Sequence, residues 1–189
     1  MGDATKMKDF ITQVAGMPYA LYLSLQGKYF VGYADHMEFS NRNIAWAGLI
    51  NPVHSGVNLH VYVWTVSNIG ESEFMARIWF NTDTPGRPLR SEFVTPANTA
   101  LRPLPKPRIK LLQANNVIGD PEGGENLFVR RVSPEVTIAS EEEGKFIFPP
   151  GGSFLITLSS LSDSETPNQS GEGQVAFGWF EEKINGIKN

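Results

Sequence analysis

The chain has 189 residues, a length that suits a single β-sandwich, with 41% hydrophobic but only 19% charged residues, against roughly 25% charged in an ordinary soluble domain. A formal net charge of −4 provides no field to attract nucleic acid or an anionic membrane, so neither is expected as a partner. Without a single Cys, a disulfide framework, a thiolate metal site and a thiol nucleophile are all excluded.

Met1 to Lys8 lacks the long apolar run of a secretory signal, and no stretch of about 18 apolar residues follows. Synthesis in the cytoplasm without a signal peptide is the expectation. Met7, Phe10, Ile11 and Val14 recur at i, i+3, i+4 and i+7, which predicts one face of a short amphipathic helix ended by Gly16 and Pro18. Residues 1–18 therefore read as a helical arm and 19–189 as one domain. The stripe around Phe10 and Ile11 needs a surface to cover it, either the end of its own sandwich or a neighbouring subunit.

Beyond the arm the pattern predicts strands. Tyr19 to Leu25 and Lys28 to Ala34 flank Gln26-Gly27, a hairpin signal. Ile44 to Ile50, Val57 to Ser67, Phe74 to Asn81, a weaker Glu92 to Thr95, Ile109 to Gln113, Asn126 to Val132, Val136 to Ile138, Lys145 to Phe148, Ser153 to Ser159 and Gln174 to Glu182 follow. Strands broken by turn residues every 8–15 positions or so, with no long helical period between them, predict an all-β fold: an antiparallel β-sandwich of jelly-roll type with a short N-terminal helix. Six prolines between Thr84 and Pro107 predict a surface excursion with at most one edge strand. Ser159 to Gly173 reads as a polar loop, and Glu141 to Glu143 as a solvated turn.

Asn51-Pro52-Val53-His54-Ser55-Gly56 has the composition of a turn in which Asn51 and Ser55 bond nearby backbone. In the strand after it, Val57, Leu59, Val61, Val63 and Thr65 share one face and Asn58, His60, Tyr62, Trp64 and Val66 the other. The first face belongs to the core. The His60, Tyr62 and Trp64 side is large and aromatic, a surface for a second layer, a subunit or a ligand. Near the C-terminus, Gly178 would let a neighbouring aromatic or backbone approach closely.

Catalytic and metal-binding sets are not expected. Three His, at 36, 54 and 60, form no His-x-His pair, and adjacent carboxylates on a strand point to opposite faces. A catalytic site would need distant loops to join a His to a carboxylate in a deep polar pocket. No cofactor is predicted.

The strings Ala45 to Leu49, Asn51 to Leu59, Val66-Ser67-Asn68, Ile78 to Asn81, Phe148 to Phe154 and Ala176 to Glu182 resemble an uncharacterised family of small β-rich proteins from spore-forming Firmicutes. The resemblance covers most of the chain after Tyr19 and implies no activity. The Asn-Pro-x-x-Ser-Gly turn and the Pro-Gly-Gly turn are also similar to those of phage virion and other particle-forming jelly rolls, which implies a building block. The expected function is a non-enzymatic structural protein that assembles with itself into an oligomer, a filament or the surface layer of a spore or phage-like particle. The alternative is a carbohydrate- or peptide-binding module in which Tyr62 and Trp64, with Trp46, stack on a glycan.

Overall fold

A computed structural model describes residues 16–161 and 170–184. Eleven strands in two antiparallel sheets and one short helix make up these residues. The helical arm, with Met7, Phe10, Ile11 and Val14, lies outside the described residues, as does the middle of the polar loop, 162–169.

The helix α1, Tyr19–Leu25, stands where the sequence suggests the first strand of a hairpin. Gly27 decides the difference. It sits at φ 69°, its N–H bonds to Ser24 O at 3.0 Å, and Lys28 N–H bonds to Leu23 O at 3.0 Å. Those two bonds are a glycine helix stop, in which a left-handed residue satisfies the last carbonyls of the helix. A left-handed Gly suits a hairpin and a helix end equally well, so the local signal was ambiguous. Only Leu23 of α1 is buried.

The five-stranded sheet has the order β6 (Val94–Pro96), β1 (Tyr29–Ser40), β11 (Ser170–Lys183), β3 (Val57–Asn68), β9 (Thr137–Phe148). The six-stranded sheet runs β5 (Leu89–Arg90), β7 (Lys110–Ile118), β2 (Asn43–Ile50), β10 (Ser153–Ser160), β4 (Phe74–Phe80), β8 (Glu125–Val132). With the insertion β5 to β7 set aside, successive strands alternate between the two sheets except for β4 and β8, which pair in one, giving β1-β11-β3-β9 against β2-β10-β4-β8. That arrangement is the doubled Greek key of a jelly roll. Between the sheets lies one core, with Phe39, Leu49, Leu59, Phe74, Ile78, Phe148, Phe154 and Trp179 all nearly sealed from solvent.

Three predicted elements change. Val136 to Ile138 and Lys145 to Phe148 are halves of the single strand β9, and Glu141 to Glu143 lie inside it. Glu143 and Gly144 take positive φ, 51° and 79°, and the pairing with β3 slips there, so the acidic run forms a β-bulge and no turn. Glu142 is buried there. The Pro-rich excursion supplies two edge strands, one per sheet: β5 pairs with β7 and β6 with β1.

The Asn51 turn carries the crossover from β2 in one sheet to β3 in the other. Its side-chain amide donates to Val57 O at 2.8 Å and to Phe148 O at 3.0 Å. Its backbone accepts from Gly151 N–H at 2.8 Å and donates to Gly152 O at 2.9 Å. Asn51 thus ties the β2–β3 crossover to the Pro-Pro-Gly-Gly turn that takes β9 across to β10. Ser55 Oγ accepts from Val57 N–H at 3.3 Å.

The two outer faces are treated differently. On the six-stranded sheet, Ile44, Trp46, Ala114, Val117 and Leu155 form a second apolar cluster. The excursion roofs it: Trp46 Nε1 donates to Pro85 O at 2.9 Å, and Gly86 lies against Val117. Roofed on one side and packed on the core on the other, β2 and β10 are buried on both faces, which is why they read as near-continuous apolar runs. Among the described residues, the outer face of the five-stranded sheet is covered at one end, by α1.

Candidate interaction surface

The strand β3 does not keep one parity. Against β11, Val61 faces Trp179 and Val63 faces Gly178, so Tyr62 is an extra residue; against β9 the register shifts at the same place, with Val61 facing Phe146 and Val63 facing Glu141, and there the surplus lies on β9. A bulge of one residue exchanges the faces of everything after it. Before the bulge, Leu59 and Val61 point to the core; after it, Trp64 and Val66 do.

The predicted face of His60, Tyr62 and Trp64 is therefore divided. Trp64 belongs to the core, 3% exposed, where its Nε1 donates to Glu142 Oε1 at 3.1 Å and Ser140 Oγ donates to the same oxygen at 2.7 Å. His60 is buried under Phe180, ring on ring at 4.4 Å and 14°, and Tyr19 of α1 packs edge-on against Phe180 at 5.8 Å. The imidazole Nδ1 is 3.2 Å from Gly144 O and Nε2 is 3.2 Å from Glu182 Oε2. Tyr62 is half-buried, with its ring 5.4 Å from Tyr29. Since Trp46 and Trp64 are both buried, the aromatic set imagined for stacking on a sugar is not exposed.

The uncovered surface is formed by other residues. Cross-strand rows run from β1 through β11 to β3: Val31, Gly178, Val63, and next to them Tyr33, Ala176, Thr65. Together with Phe93 and Thr95 they line an open groove of about 610 Å³ with Glu92 at its rim. Ala176 and Gly178 are the floor, low because their side chains are small. Tyr33 and Phe93, stacked at 4.6 Å and 15°, form one wall. Phe93 is 52% exposed, and Val31 and Tyr33 are 37% exposed each.

Tyr29 closes the end nearest α1. Its hydroxyl lies across Gly178, 2.6 Å from where a Cβ would stand, the close aromatic approach expected of that glycine. Burial, then the neighbouring Tyr62 and Glu141, push the Tyr29 phenol up to about 12, so it remains a neutral donor.

The groove residues were partly legible: Tyr29, Val31 and Tyr33 alternate with Phe30, Gly32 and Ala34, which is strand periodicity with two apolar faces. Phe93 falls in the weaker predicted strand Glu92 to Thr95 of the Pro-rich excursion, and nothing local places that strand beside β1. Alternation along the sequence puts Val63 and Thr65 on the core face, and only the bulge turns them outward.

The remaining titratable contacts are peripheral. His36 Nδ1, at an exposed position of β1, is 2.7 Å from Glu172 Oε1, and Glu172, with Asp35, raises its pKa. Glu181 is buried and accepts from Arg108 N–H at 2.9 Å and Ile109 N–H at 3.0 Å; burial pushes its carboxyl up, with those two N–H groups acting against it. Among the described residues no group of three His, Asp or Glu could hold a metal ion, and no helix is long and apolar enough to cross a membrane.

A family model spans nearly the whole chain, residues 3–186. The chain belongs to a family of unknown function, DUF6143. Membership of a family of unknown function bears out the resemblance in that coarse form. No curated protein and no solved structure matches the chain.

Proposed function

We propose that this protein is a non-enzymatic building block that associates with copies of itself through the outer face of its five-stranded sheet. One observation carries the reading: the sandwich roofs one outer face with its own Pro-rich excursion and leaves the other as an open apolar groove walled by Tyr33 and Phe93. A contiguous exposed apolar surface rimmed by polar groups marks an interaction site. Met17, Tyr19, Leu21, Tyr22 and Leu25, each about half exposed at the covered end of the same face, extend it. An oligomer, a filament or a surface layer each uses such a face, and a spore or phage-like particle is the setting that the resemblance implies.

Light scattering across a concentration series tests this. A mass that rises above 20.9 kDa with concentration, and falls back on Val31→Glu, is expected. A parent chain that stays monomeric throughout removes the proposal.

The second reading is a binding module, favoured by the Tyr33–Phe93 wall. Because Thr65, Thr95 and Glu92 are the few polar side chains in the groove, an apolar peptide suits it better than a glycan, whose hydroxyls need many partners. Glycan and peptide arrays probed with the parent and Tyr33→Ala separate these ligands, and no response to either would end this reading.

A further inference from the structure

The sequence of the N-terminal segment matches the groove in length and chemistry, and the described chain begins beside the groove. The groove is apolar, with glutamates beside it: Glu92 lines it and Glu141 is the cross-strand neighbour of Val63. Residues 6–14, Lys-Met-Lys-Asp-Phe-Ile-Thr-Gln-Val, place Met7, Phe10, Ile11 and Val14 on one helical stripe and set Lys6 and Lys8 on its two flanks. Lysines at the edges of an apolar stripe keep their charges at the rim while the stripe is buried. Eight residues of helix are about 12 Å long, close to the roughly 14 Å across three strand spacings from β6 to β3.

Position also fits. Pro18, at φ −55° and ψ 134°, is extended, so α1 does not continue N-terminally through it. Tyr19 rests on Phe180, two residues along β11 from the groove floor at Gly178. The arm therefore begins beside the groove.

The occupant is a second copy for a reason of coverage. An eight-residue helix has one stripe of four apolar side chains. Folded back into its own groove, it would leave Met17, Tyr19, Leu21, Tyr22 and Leu25 in water. Exchanged between two molecules, it brings two outer faces together and lets those residues be buried too, toward the roughly 800 Å² per partner of a stable interface. A two-fold pair in which each arm fills the other's groove is closed and self-complementary.

We infer that the groove over Ala176 and Gly178 receives the N-terminal segment 7–14 of a second copy of this chain, with Met7, Phe10, Ile11 and Val14 inside and Lys6 and Lys8 at the glutamate rim. The inference rests on the self-association reading and names its contact.

Complementation tests it. One variant lacks residues 1–15 and retains the groove; the other, Ala176→Arg, retains the arm and blocks the groove. Each alone should dissociate at concentrations about tenfold or more above the parent, with unchanged circular dichroism. Mixed, they should form a heterodimer, because one intact arm still meets one intact groove. Should Ala176→Arg not fold, Tyr33→Ser, on the exposed wall, takes its place. A fluorescent peptide of residues 1–18 should bind the truncated chain saturably and lose about tenfold or more affinity for the truncated chain carrying the groove substitution.

If the truncated chain self-associates as strongly as the parent, the arm exchange is overturned while self-association stands. If the parent is monomeric and the peptide still binds the truncated chain, the arm lies in its own groove, and both proposals fall. A monomeric parent with no peptide binding overturns both as well. Absence of a heterodimer from two folded variants overturns the exchange alone.

Discussion

Replacing Asn51 with Asp changes one NH2 to one oxygen, and the geometry makes that exchange expensive. The amide donates to Val57 O and Phe148 O, at 2.8 and 3.0 Å, and the residue is 1% exposed. In Asn51→Asp both donors vanish, and a carboxylate oxygen faces two carbonyl oxygens without water to separate them. Two buried hydrogen bonds at about 1 kcal/mol each, plus the cost of an acceptor left without a donor, give a loss of about 3–5 kcal/mol at pH 7. Asn51→Ala loses the same bonds without adding charge, and should cost about 2–3 kcal/mol. Urea unfolding followed by Trp fluorescence measures both, with a lower midpoint at an unchanged slope. In a domain of this size the larger loss lowers Tm by about 10 °C or more.

The pH dependence separates the causes. A carboxyl buried among carbonyls has its folded pKa raised, so the variant is relatively most stable below the unfolded pKa and loses ground as pH rises through the folded one. Part of the deficit of Asn51→Asp should therefore be recovered in acid, where the protonated carboxyl can donate one bond, and that of Asn51→Ala should not. An Asn51→Asp chain within about 1 kcal/mol of the parent at pH 7 would refute the view that this amide ties the two crossovers together.

Three further outcomes follow from particular groups. Because burial raises the Glu181 pKa, the parent gains stability from this group as pH falls through its folded pKa; Glu181→Gln lacks that gain, so its stability relative to the parent should decline from pH 7 into acid. A constant difference in urea midpoints across that range contradicts the assignment. With the Tyr29 phenol pushed up to about 12, its contribution is whole below the unfolded value near 10 and lost as pH rises toward 12. Tyr29→Phe should therefore blunt alkaline unfolding, and absorbance titration should lose its latest tyrosine step; a parent whose tyrosines all titrate near pH 10 rules this out. Gly27→Ala places a Cβ 2.6 Å from Pro105 and 2.9 Å from Leu101 at φ 69°, where the left-handed backbone alone costs about 1–2 kcal/mol. Its Tm should fall by several degrees, and an unchanged Tm would mean that α1 does not end at this glycine.

Much of the architecture was legible because it depends on local pattern. Alternation in Val57 to Ser67, the apolar runs at Ile44 to Ile50 and Ser153 to Ser159, and the turn residues at Asn51 to Gly56 and Pro149 to Gly152 report strands and corners by side-chain type alone. Those residues determined an antiparallel sandwich of about this many strands. Tertiary structure decided which surfaces were left bare. Tyr62 is an extra residue only by reference to its partners on β11, so the exchange of Trp64 for Val63 on the outer face could not be read along one strand. Likewise the Pro-rich excursion roofs part of the six-stranded sheet but gives the five-stranded sheet only the edge strand β6 and the Phe93 wall, and no local propensity records that choice. Periodicity describes a strand to itself, whereas a groove is defined by register between strands distant in sequence, and register is set by the packed whole.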